Sequence, residues 1–300
     1  MYLPDNFEQF KIVVLEKIRT YCDNNIWPFE YEKFCGWLNN FDQELEEYLA
    51  LQILDNLIVR SKEMAIASYS RLLCCELRQF IVENTEINTG PIENWKRKLI
   101  RGSLNRDIRF APVRLMNDQG ESGGSIYRML SSVLSTDRYA LANSREQPKV
   151  IILIDDFIGS GDQFTQFAKE VDLSQLLQSS KVIYTPMMAF TKGIDRIKAD
   201  YPNLNVIPGE YIHESDGLFF GEDTKHFKND QKNTIADVKE YLENMKLKYA
   251  PNITNWQGYD EAALPLSFEW GCPNQAPSML YMEHSSEKNN WNRLFNRRAL

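Results

Sequence analysis

Two adjacent carboxylates, Asp155 and Asp156, follow an apolar run that starts at Val150, and a Gly159-Ser160-Gly161 bend comes just after them. A glycine-broken loop that opens a helix can aim several backbone N–H groups, together with the Ser160 hydroxyl, at a phosphate. The positive end of the helix dipole favours the same anion. Side chains at 159 and 161 would block that approach or forbid a left-handed conformation. Paired acids beside a phosphate repel it unless they face its hydroxyls or a divalent cation. The pattern therefore suits a sugar phosphate, with Asp155 and Asp156 accepting hydrogen bonds from ribose hydroxyls and Mg2+ held nearby, indirectly, through the ligand or water.

Rival motifs fit less well. No Lys-Ser/Thr follows the glycines, as a Walker loop requires, and the GxGxxG spacing of a dinucleotide fold is absent. A phosphorylated-Asp receiver site would leave the glycine bend without a purpose.

The elements that must hold this loop can be read from periodicity. Val150 to Ile154 is a continuous apolar run of the kind buried on both faces of a parallel sheet. A helix is expected over Gln163 to Leu177, a strand over Val182 to Phe190, a helix over Gly193 to Tyr201, a short strand over Leu204 to Ile207, and a helix over Thr234 to Lys248. This alternation predicts an α/β fold with a parallel sheet and ligands at the carboxyl ends of its strands. Upstream, Ile108 to Leu115 reads as extended, Asn117 to Ser125 as a glycine-rich loop, and Ile126 to Leu134 as helix.

From Phe7 to about Leu104 apolar residues recur at helical spacing, including one long helix from near Ser61 to Asn88. Beyond Pro251 the chain is rich in Pro, Asn and Trp with little period. The expected organisation is thus an all-helical domain over 1–104, an α/β domain over 105–250, and an irregular wrapping tail over 251–300 that belongs to the α/β domain.

Composition narrows the class. The 300 residues are 43% apolar, and no apolar stretch approaches the length that crosses a bilayer, so a cytoplasmic protein without membrane contact is expected. Five cysteines without a CxxC pair predict buried reduced thiols, and three histidines without metal spacing argue against a zinc site. A net charge of −8 opposes broad attraction to nucleic acid. The tightest basic clusters, Lys96-Arg97-Lys98 with Arg101, and Arg293 with Arg297 and Arg298, are expected to be a solvated helix face and a frayed tail.

A hydrophobic strand, Asp-Asp, two further residues and a small Gly/Ser loop resemble the ribose-phosphate signature of type I phosphoribosyltransferases. Asp155-Asp156, the aromatic Phe157 and Gly159-Ser160-Gly161 together resemble more closely the phosphoribosyltransferase-like family of bacterial conflict systems, PRTase-CE. Gly258-Tyr259, Phe268-Glu269, Pro273-Asn274, Pro277 and the stretch Trp291 to Arg297 are similar to that family's C-terminal pattern, so the likeness spans about Arg109 to Arg297.

The resemblance implies a phosphoribosyltransferase-like domain. Asp155 and Asp156 would be its catalytic pair, and Gly159, Ser160, Gly161, Asp162 and Gln163 would hold the 5′-phosphate. Gly120, Glu121, Ser122, Gly123, Gly124 and Ser125 would form the pyrophosphate loop, with Arg128 a further pyrophosphate contact. Asp162 suits a helix cap better than an anion contact. Only Thr136 to Pro148 separates the preceding helix from the Val150 strand, where metabolic relatives carry a flexible catalytic loop.

The implied activity is transfer or cleavage at the anomeric carbon of phosphoribosyl pyrophosphate or a nucleotide, as a toxin-like effector of an anti-phage defence system. No general base is identifiable: Glu121 and Glu269 are candidates only by proximity to the motif blocks, and a structural or solvated role is favoured for each. A binding module that senses a ribose phosphate without chemistry is the alternative, and the N-terminal helices could dock a protein or nucleoprotein partner from the same operon.

Overall fold

The computed structural model describes residues 1–115, 122–221, 226–227, 230–286 and 291–297. In chain order its elements begin with α1 (Phe7–Asp23), α2 (Tyr31–Leu38), α3 (Glu44–Asp55), β1 (Ile58–Arg60), α4 (Lys62–Cys74), α5 (Glu76–Asn84) and α6 (Ile92–Arg101). Next come β2 (Ile108–Pro112), α7 (Ser122–Met129), α8 (Thr136–Tyr139), β3 (Val150–Ile158), α9 (Asp162–Glu170), α10 (Leu173–Ser179) and β4 (Lys181–Phe190). They end with α11 (Thr191–Asp200), β5 (Asn205–Val206), β6 (Glu210–Ile212), α12 (Ile235–Tyr249) and β7 (Leu266–Phe268).

Two compact units result, Met1–Ser61 with His213–Arg298, and Lys62–Ile212. This division differs from the boundaries expected at 104 and 250. The C-terminal segment shares a core with the first helices because its aromatics complete their apolar faces. Phe295 meets Phe29 at 5.1 Å, Trp291 meets Phe41 at 5.7 Å, and the Trp37 indole donates to the Met279 carbonyl at 2.8 Å. Phe7, Val14 and Ile18, the apolar stripe of α1, are buried in that core. The N-terminal region also contains a strand, β1, which pairs in parallel with β7. Three residues are too few for periodicity to reveal.

In the Lys62–Ile212 unit a parallel sheet runs β2-β3-β4-β5, with β6 also on β4. β3 pairs β2 from Ile108↔Val150 and β4 from Val150↔Lys181, and all nine of its residues are buried, as a strand covered on both faces requires. The edge beyond β4 splits at Pro186. Tyr184 and Pro186 accept from Ile207 and Gly209 (2.9 and 3.0 Å), but Pro186 has no N–H to return, and the edge is divided into β5 and β6 there.

The helix expected over 163–177 is two helices. Asp172 adopts a left-handed conformation (φ 47°) and its side chain accepts from the Gln175 amide, ending α9 and starting α10. The long helix expected from Ser61 is likewise broken, at Cys75 (φ −108°, ψ −87°). Cys22 and Cys272 are buried thiols as expected, whereas Cys75, at that break, is exposed.

Two glycines make opposite predictions for thermal melts. Gly36 lies within α2 with nothing within 4 Å of an added Cβ, so Gly36→Ala should stabilise by about 0.5–1 kcal/mol. At Gly193 in α11 a Cβ would fall 2.1 Å from the Gly159 carbonyl oxygen, so Gly193→Ala should destabilise by about 1–3 kcal/mol despite alanine's better helix propensity.

Candidate functional site

β3 does not stop before the acids. It carries Asp155 and Asp156 inside the sheet, at 2% and 0% exposure. Both Asp155 carboxylate oxygens accept hydrogen bonds from within the chain, Oδ1 from the Asp156 amide (2.9 Å) and Oδ2 from the Tyr184 hydroxyl (2.6 Å). Tyr184 is held for this by stacking on Phe164, with ring centroids 4.2 Å apart. The Tyr69 hydroxyl, from α4, donates to the Asp155 carbonyl and lies 2.8 Å from the Thr185 carbonyl. Burial, then the Asp155 charge, pushes the hydroxyls of Tyr69 and Tyr184 well above the ordinary 10.0, so both remain donors. Asp155 is thus tied down as a structural anchor, a role that adjacency to Asp156 alone does not reveal.

The bend follows as expected. Gly161 has φ +86°, a conformation that glycine adopts without the cost other residues meet, and it leads straight into α9. The first turn of α9 presents the N–H groups that no helix carbonyl can reach. Gly159, Ser160, Asp162 and Gln163 are partly exposed around it. The Ser160 hydroxyl, however, is directed to the Asp162 carboxylate at 2.7 Å, and Arg196 of α11 pairs with the other Asp162 oxygen at 2.6 Å. Asp162 is therefore neutralised by a guanidinium that was not singled out in the sequence. A Cβ at Gly161 would meet the Gly193 carbonyl at 3.1 Å, so the start of α11 backs the bend closely.

The second loop arrives from the other side. A Cβ at Gly123 would lie 2.4 Å from the Val113 carbonyl and 3.4 Å from that of Ile154, so the first turn of α7 presses on the ends of β2 and β3, next to the acids. Gly123 and Gly124 are buried, Ser125 accepts from the Arg128 guanidinium at 3.0 Å, and Arg128 is exposed. Gly120, Glu121 and the Ser122 side chain lie outside the described residues. Glu269 belongs to the other compact unit, where its amide donates to the Arg60 carbonyl at 2.9 Å. Among the described residues no group of three or more His, Cys, Asp or Glu comes together, so a magnesium ion here would take most of its ligands from a bound phosphate or water. The interval before β3 is filled by α8 and a 3-10 turn at Leu141–Asn143.

Removing the Tyr184 hydroxyl should leave a buried carboxylate short of a donor. Tyr184→Phe should lower the urea-unfolding free energy by roughly 1–3 kcal/mol at pH 8. A raised folded pKa stabilises fully below the unfolded value of 10.0 and is lost as pH rises past it. The gap between wild type and variant should therefore narrow by about 1.4 kcal/mol per pH unit above 10.

Among the described residues no helix is long and apolar enough to cross a membrane. No curated protein matches the chain. A solved structure, the AQ2163 protein from Aquifex aeolicus, is 14% identical and covers 62% of this chain and 86% of its own, with a TM-score of 0.28, a likeness too slight to build on. The family described as PRTase-CE matches residues 34–297, so its reach begins in α2, well ahead of the start of the sequence resemblance at about Arg109. With nearly nine-tenths of its length inside that match, the chain is a member of the PRTase-CE family and has a phosphoribosyltransferase-like function.

Proposed function

We propose that the Lys62–Ile212 unit binds a ribose 5-phosphate group, as phosphoribosyl pyrophosphate or a nucleotide. The observation that carries this reading is the left-handed, buried Gly161 turn feeding the start of α9, flanked by the partly exposed Gly159, Ser160, Asp162 and Gln163, shortly after the strand that carries both acids. In this reading amides from Gly159 to Gln163 hold the phosphate, Arg196 offsets the Asp162 charge beside it, and Asp156 accepts hydrogen bonds from the ribose hydroxyls. Asp155 serves by holding the strand end rather than by touching the ligand. Gly123, Gly124 and Ser125, with Arg128, contact the pyrophosphate. A magnesium ion carried by that group would neutralise the leaving charge as the anomeric bond breaks. The chain would then act as a glycosyltransferase-type effector in anti-phage defence.

A specific observation favours a second reading. Both acids are buried, both oxygens of Asp155 are engaged, and short helical turns occupy the interval before β3, which suits a sensor that binds without turnover.

Calorimetry and pyrophosphate release separate the two. Phosphoribosyl pyrophosphate with magnesium should give binding heat that weakens at least roughly tenfold in Gly161→Val, where both the backbone conformation and the approach are lost. Release abolished in Asp156→Asn supports transfer, and binding without release supports the sensor. Absence of heat with phosphoribosyl pyrophosphate, ribose 5-phosphate and nucleotides alike overturns the proposal.

A further inference from the structure

The chain has a net charge of −8, yet residues 96–109 hold Lys96, Arg97, Lys98, Arg101, Arg106 and Arg109 against a single acid, Asp107. That acid is already paired with Lys149 at 2.9 Å. Two of the cations are used internally, since Lys98 donates to the Asn88 carbonyl and Arg109 to those of Arg138 and Ala140. The other four are exposed. Burial of Trp95 and Leu99, with the Trp95 indole donating to the Leu73 carbonyl at 2.7 Å, fixes the rotation of α6 and turns Lys96, Arg97 and Arg101 outward.

A further element adds to this face. At Gly102 (φ +65°) a Cβ would fall 2.6 Å from the Arg138 side chain, whose stem crosses the end of α6 while its guanidinium donates to the Arg101 carbonyl at 3.1 Å. Among the described residues no ion pair engages Lys96, Arg97, Arg101, Arg106 or Arg138. The negative end of the helix dipole accounts for a cation or two in the last turn of α6, but Arg106 and Arg138 lie outside the helix. The face adjoins the start of β2, so it lies toward the amino ends of the strands, the far end of nine-residue β3 from the bend, roughly 25 Å away.

We infer that this face binds the phosphate backbone of a nucleic acid, without reading bases. Five cations outside any ion pair, on α6, the turn after it and α8, match a line of phosphates. A single small anion would need them to converge, and nothing on this convex helix surface does that. Ile100, 58% exposed among them, is the residue that an acidic amphipathic protein segment would use instead.

Fluorescence anisotropy of short labelled DNA and RNA, measured on the full chain across a salt series, tests this. Wild type should bind with an affinity that falls as salt rises. Lys96→Ala/Arg97→Ala/Arg101→Ala should bind roughly tenfold or more weakly at low salt, with the log–log salt slope reduced by about 2–3 and an unchanged melting temperature. Ile100→Ala should bind as wild type does. Equal binding by wild type and the triple variant, or no binding by wild type, overturns the inference. So does capture of an acidic amphipathic Glu/Leu helical peptide, lost in Ile100→Ala, in place of nucleic acid. Ribose-phosphate binding is read separately on the same triple variant, so either reading can fail alone.

Discussion

A carboxylate buried within a central strand is tolerable only when its oxygens are satisfied, and the site rests on how Asp155 meets that demand. Tyr184 supplies one hydrogen bond from β4, the neighbouring amide supplies another, and Tyr69 covers the backbone carbonyl. These contacts tie β3 to β4 and α4 just ahead of the glycine bend. Without them the chain would have to move Asp155 to water, and Gly159 to Gly161 would lose their seat against α11.

Two close backbone approaches do the rest of the positioning. Gly193 lets α11 come down onto the Gly159 carbonyl, and Gly123 lets α7 come down onto the ends of β2 and β3. Both place helix starts around the acids, where partial positive charge gathers. Arg196 then offsets the charge on Asp162, which would otherwise oppose an anion at the bend. The opposite end of the same sheet carries its positive charge on exposed side chains rather than on backbone dipoles.

The strand series around the acids was legible because its signal is local. A buried run such as Val150 to Ile154 and a glycine bend are written in adjacent residues, and α12 announces itself through the Thr234–Asp237 capping box. What escaped depends on distance along the chain. The donors that hold Asp155, Tyr184 and Tyr69, lie 29 and 86 residues away and leave no local signal. The tail looked like part of the α/β domain because nothing in Trp291 or Phe295 tells which apolar face they complete. The break of α9 from α10 was visible only as Asp172, a residue that is common in helices and in turns alike.

The central claim is that the bend from Gly159 to Gln163 is where a ribose phosphate is gripped, and amide chemical shifts report it most directly. In the 15N-labelled protein, titration with ribose 5-phosphate should move the amides of Ser160 to Phe164 and of Gly123 to Ser125 in a saturable way, and leave those of α6 in place. Saturable shifts confined to other segments, or none at any concentration, would contradict the account.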